Sequence, residues 1–166
     1  MEGAARGPAM EEPRYLADAM LGRLARYLRM LGYDTEYSGE GAAAAIREAL
    51  ARDPRILLTR NGALAAATPG SVRLREVLLD RQLRELAGIR PPLRSEPRFD
   101  RCTACNGPLA PEPGPGDDPV GAGPARRAGP GPVWRCRVCG HRYWEGTHTA
   151  RIRADLRRAL GTGDPR

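Results

Sequence analysis

Four cysteines, Cys102, Cys105, Cys136 and Cys139, fall into two Cys-x-x-Cys pairs near the C-terminal end of the 166-residue chain. Each pair sets two thiolates on one tight turn, where both sulfurs can reach the same ion. Asn106 and Gly140 follow the second cysteine of each pair. Both residue types tolerate the left-handed backbone that such a turn uses. Two such turns make a closed four-sulfur cage suited to structural zinc, with no ligand position left open for catalysis. His141 and His148 are read as surface residues or as residues behind the ligands, because four sulfurs already complete the shell.

A second group of residues could do oxygen-ligand chemistry. Asp18 lies just past a strand candidate, Arg14 to Ala17. Asp34 or Glu40 lies near a second, Tyr33 to Tyr37, and Asn61 just past a third, Arg55 to Thr59. In an open parallel sheet, ligands sit outside the carboxyl ends of the strands. Carboxylates there would hold Mg²⁺ or Mn²⁺, which activates water and steadies charge on a phosphate. The plainer alternative is that Asp18 is a helix N-cap and Glu40 a surface acid.

The intervening pattern supplies elements to carry these groups. Met20, Leu21, Leu24, Leu28 and Leu31 recur at helical spacing, and Gly32 stops the helix. Arg23, Arg26 and Arg29 ride its other faces, either gripping a phosphate backbone or simply solvated. An Ala-rich helix spans Ala42 to Arg52 and ends at Asp53-Pro54. A short helix is expected around Ala63 to Ala67 and a strand near Val72 to Leu74. The next helix should bury Val77, Leu78, Leu83, Leu86 and Ile89. Strand and helix alternate, which predicts an α/β domain over residues 14–90 with a parallel sheet covered on both faces.

Residues 1–13 read as a disordered tail and 91–100 as a linker. Residues 101–148 read as a zinc ribbon, interrupted at 110–132 by a Gly/Pro-rich disordered insertion. Val133, Trp134, Tyr143 and Trp144 are its expected small core, or alternatively a base-stacking surface. A terminal helix follows over 149–160, its pattern beginning at Thr147.

The chain carries a formal charge of +7, all of its basic side chains being arginine, and only 5% of its residues are aromatic. The charge permits a polyanion partner without requiring one. No apolar run approaches the roughly 20 residues that cross a bilayer, which predicts a cytoplasmic protein with no membrane partner.

The stretch from Tyr15 to Thr35, with Arg55-Ile-Leu-Leu-Thr-Arg60, Gln82-Leu83, Arg101-Cys-Thr-Ala-Cys-Asn106 and Cys136-Arg-Val-Cys-Gly-His through His148, resembles the Mut-7 type C-terminal RNase domain family, a branch of the PIN-like nucleases. The resemblance implies a PIN-like α/β fold fused to a zinc ribbon, and metal-dependent cleavage of RNA. By position, Asp18 matches the first-strand metal-binding acid, Glu40 lies near a second, and Asp80 is a more distant third. Arg23, Arg26 and Arg60 would receive the RNA backbone. Where the family usually reads Leu-Leu-Thr-Arg-Asp, this chain has Leu57-Leu58-Thr59-Arg60-Asn61. An amide offers a carbonyl oxygen but no charge to attract a hard cation. Two readings therefore stand, a ribonuclease with Asp18, Glu40 and Asn61 in its site, and an RNA-binding module that has lost its chemistry.

Overall fold

The computed structural model describes residues 12–90, 93–112 and 132–161. Four short strands, β1 (Tyr15–Ala17), β2 (Thr35–Tyr37), β3 (Ile56–Thr59) and β4 (Val72–Arg73), form a parallel sheet in the order β2-β1-β3-β4. Helices α1 (Gly22–Met30), α2 (Ala43–Arg52), α3 (Gly62–Ala66), α4 (Leu79–Ile89) and α5 (Thr147–Leu160) accompany it. A 3₁₀ turn, Ala19–Leu21, leads from β1 into α1.

Alternation along the strands builds two cores. Tyr15, Ala17 and Leu58 join Leu24, Leu28, Leu83, Leu86 and Leu156 on the α1, α4 and α5 side. Leu16 and Leu57 point the other way, onto Ile46 of α2 and Leu64 of α3. β1 is buried on both faces, as expected of a central parallel strand. The α/β fold anticipated from the sequence is thus present, with one addition. Helix α5, nominally an appendage of the ribbon, lays Ile152, Leu156 and Ala159 into the main core.

Helix α1 ends in a paired motif. Gly32 takes φ +88°, its amide donates to the Arg29 carbonyl at 3.0 Å, and the Tyr33 amide donates to that of Leu28 at 2.9 Å. Satisfying the last carbonyls in this way requires a left-handed residue, which glycine adopts without strain. A side chain at this position would also meet Asp100 and Arg98 at 3.1–3.3 Å. The helix end is thereby fitted against the segment that leads into the first cysteine pair.

The ribbon sheet is antiparallel, in the order β5 (Leu109–Glu112), β6 (Val133–Cys136) and β7 (Arg142–Trp144). Strand β5 occupies the first residues of the expected insertion, because their backbone groups pair with β6 whatever their side chains. The remainder of the insertion, 113–131, and the N-terminal tail, 1–11, lie outside the described residues. So do residues 91–92 of the linker.

Two expectations about burial change. Helix α4 starts at Leu79, so Val77 and Leu78 lie before it and stand 66% and 54% exposed, while Ile89 at its end is 48% exposed. Met20 sits on the 3₁₀ turn rather than on α1 and is 57% exposed. Helical spacing was the wrong rule for residues outside the helices proper.

Candidate functional site

At the carboxyl rim of the parallel sheet, Asp18 is buried and both of its oxygens are engaged. Oδ1 accepts from the Met20 amide at 3.0 Å, capping the 3₁₀ turn, and Oδ2 accepts from the Thr59 hydroxyl. The Thr59 Oγ1 in turn accepts from the Asn61 amide at 2.9 Å. The Asn61 side chain caps α3, its Oδ1 accepting from Ala63 at 3.0 Å and Leu64 at 3.2 Å. Asp18, Thr59 and Asn61 thus form one hydrogen-bonded row across the ends of β1 and β3.

Glu40 is exposed on the loop that follows β2 at this same rim. The loop lies against the Asp18 turn: the Ser38 amide donates to Ala17 at 2.9 Å, Tyr37 Oη donates to the Ala19 carbonyl at 3.1 Å, and a side-chain carbon at Gly41 would sit 3.1 Å from that of Ala19. Arg60 is half-buried at the end of β3, and its Nε has no partner among the described residues. Arg23 and Arg26 are exposed on α1. Asp80 takes no part in the Asp18 row: it is in the first turn of α4, paired with Arg84 at 3.5 Å.

Asp34 is not at this rim. It precedes β2, at the amino end of the sheet, so the sequence placed the strand boundary two residues early. There its carboxylate receives Arg55 at 2.6 Å, Arg14 and Arg101 at 3.3 Å, and the Asn106 side-chain amide at 2.8 Å. Burial opposes its ionisation, but the Arg55 and Asn106 hydrogen bonds and the surrounding guanidiniums outweigh it and hold the group down to about 2. Its folded value lies below its unfolded one, so its stabilising effect is complete above the ordinary carboxylate range and is lost as pH falls from about 4 to about 2. Asp34→Ala is expected to cost roughly 1–2 kcal/mol at neutral pH. Urea unfolding at pH 7 and near pH 3 should show the gap from the parent chain narrowing in acid, and an equal gap at both would contradict this origin.

The four sulfurs lie within 4.8 Å of one another, with Cys102 to Cys139 at 3.6 Å and Cys105 to Cys136 at 3.4 Å. A tetrahedral ion with metal–sulfur bonds of about 2.3 Å needs sulfurs about 3.8 Å apart, so the cluster fits one such ion, zinc being the ion matched to four thiolates. The turns are built as their spacing suggested. Asn106 and Gly140 take φ +65° and +75°, and amides of Cys105, Val138 and Cys139 approach sulfurs at 3.4–3.5 Å. Burial disfavours the Cys136 thiolate, but the Cys139 and Val138 amides overcome this and bring it down to about 6. Tyr143 is tied to the cysteine cluster through its hydroxyl. Its hydroxyl sits 3.1 Å from both Cys102 Sγ and Thr103 Oγ1, while Trp134 stacks on Phe99 at 4.5 Å. Among the described residues these cysteines are the one group of three or more potential His, Cys, Asp or Glu ligands gathered closely enough for a metal.

The pattern now complete, a parallel α/β sheet followed by this four-cysteine ribbon, is matched by the family model described as the Mut7-C RNAse domain, over residues 13–156. The chain belongs to the Mut7-C RNAse domain family. No curated protein and no solved structure matches it. In this Mut7-C domain the first cysteine turn is bolted to the sheet. Arg29, buried, donates from Nε to the Thr35 carbonyl at 2.8 Å and from Nη1 to the Thr103 and Ala104 carbonyls at 3.0 Å. Asn106 accepts from the Thr35 amide at 3.1 Å while donating to Asp34. Arg29 had been grouped with the exposed arginines. Its position on α1 gives no local sign that carbonyls more than seventy residues away will surround it. The one available signal was Asn106, an amide side chain where glycine would serve the turn as well.

Proposed function

We propose that this Mut7-C domain is a ribonuclease that cleaves RNA phosphodiester bonds at the carboxyl rim of its sheet, using Mg²⁺ or Mn²⁺ held by Asp18 and Glu40 with Asn61 beside them. The observation that carries it is a buried carboxylate oriented at a strand end, within a family described by ribonuclease activity. A carboxylate has about four lone-pair positions, so after the Met20 and Thr59 donors Asp18 keeps acceptor capacity. One or two carboxylates suit a cation that retains most of its waters and takes a phosphate oxygen from the substrate, in place of an all-protein cage.

Bound there, the ion would supply an activated water and a counter-charge for the phosphate. The protein's own part is positional. Thr59 and the Met20 amide hold Asp18 in one orientation, Glu40 stands exposed on the loop packed against the Asp18 turn, and the half-buried Arg60, next to Asn61, would turn its guanidinium outward to meet the phosphate. Reduced thiols around zinc agree with a cytoplasmic setting.

A second reading, an RNA-binding protein with weakened or lost catalysis, is favoured by Asn61. Its side-chain oxygen is already committed to two helix amides and brings no charge.

The test is cleavage of labelled single-stranded and hairpin RNA by the purified chain with Mn²⁺. Asp18→Asn keeps the capping oxygen but removes the charge, and is expected to slow cleavage ~100-fold or more. Asn61→Asp, an equally good helix cap, is expected to raise it. Undiminished cleavage by Asp18→Asn would show that the site lies elsewhere. Cleavage that appears only in Asn61→Asp would establish the second reading.

A further inference from the structure

We propose that the cavity between α1, α4 and α5 is a subsite for one nucleotide of single-stranded RNA, adjoining the Asp18 rim. The choice of RNA as ligand rests on the ribonuclease reading. The cavity has a volume of about 270 Å³, close to the lower end of small-molecule sites and scaled to a single base with its sugar. Its walls join the first turns of α1 and α4 to the last turns of α5. Both α1 and α4 begin on the side of the sheet where β1 and β4 end, and Arg23 of the lining follows Asp18 by only five residues along the chain.

The lining chemistry selects among ligands. Tyr27, Leu79 and Leu83 give an aromatic and aliphatic wall on which a base can lie. Arg84 and Arg158 are each matched to an acid, Asp80 at 3.5 Å and Asp155 at 2.9 Å. Arg23 is the cation of the lining that has no ion pair among the described residues, which leaves it open to a phosphate. Two carboxylates in the same wall make a poor site for a bare polyanion. They suit a ligand that brings donors as well, as ribose hydroxyls and base amino groups do. A hydrocarbon-only ligand would leave these charges unmatched.

The test is fluorescence anisotropy with a fluorescein-labelled oligoadenylate, using the full chain carrying Asp18→Asn without added Mn²⁺, so that binding is read apart from cleavage. Adding Arg23→Glu is expected to weaken binding about 10-fold and to lower the salt dependence by about one counterion. The matching oligodeoxyadenylate should bind more weakly than the RNA. Ultraviolet crosslinking of the same RNA should label peptides that contain Tyr27 or Leu83. Equal binding with and without Arg23→Glu, together with crosslinks elsewhere, would overturn the subsite and leave the ribonuclease reading intact. Arg23-dependent binding by a chain whose parent cleaves nothing would sink the ribonuclease reading and keep the subsite. Failure to bind the RNA at all would overturn the subsite, and the exposed Val77 and Leu78 at this edge would then point to a protein surface.

Discussion

Cys102→Ser, or stripping the ion with a strong chelator, is expected to lower the stability of the chain by upwards of ~4 kcal/mol, and the loss should spread beyond the ribbon. Cys102 is fully buried, and its turn is the one that Arg29 and Asn106 tie to the sheet. Without a cation the thiols take up protons and no bond clamps the two turns together, so the first turn loosens and releases the carbonyls of Thr103 and Ala104 from Arg29. Amide exchange should therefore accelerate at Thr35 as well as around the cysteines, while Asp18 and Thr59 at the far rim keep their protection. A metal-free chain with unchanged exchange at Thr35 would show that the turn holds its shape unaided.

Arg29→Met should be the most damaging substitution outside the cysteines, at about 3 kcal/mol or more. Methionine roughly fills the space but donates nothing, leaving the buried carbonyl of Thr35 and the partly buried ones of Thr103 and Ala104 short of a donor. Burial lowers the Arg29 pKa, and the neighbouring Cys102 and Cys105 charges oppose that fall, so the guanidinium also serves as counter-charge to the sulfur cluster. Arg29→Lys should recover only part of the loss, because an ammonium lacks the planar fork that meets several carbonyls at once. Urea unfolding of the metal-loaded proteins measures both. Parity of Arg29→Lys with the parent would reduce the residue to its charge.

What could be read from the chain alone follows from how local each signal is. The cysteine turns were legible because ligand spacing and left-handed residues both lie within five positions. The sheet was legible because Tyr15 to Ala17 and Ile56 to Thr59 are apolar, short and bounded by turns. The rim row was half legible: Asp18 and Asn61 were expected at strand ends, but Thr59, whose hydroxyl joins them, looked like one more β-branched strand residue. Arg29 and Asp34 were misjudged for a shared reason. Their partners come from Cys102 to Asn106 and from Arg55, and no periodicity within α1 or β2 reports a contact so far along the chain. Val77 and Leu78 mislead in the opposite sense, being apolar side chains whose exposure reflects where α4 begins.

The sulfur cluster and Asp18 stand at opposite ends of one sheet, and this governs how an inhibition experiment is interpreted. Under the proposed ribonuclease reading, EDTA would have two independent ways to silence cleavage, by dissolving the frame or by removing the ion proposed at Asp18. Staged repletion separates them: zinc returned first should rebuild the scaffold in silence, and manganese added afterwards should restart turnover.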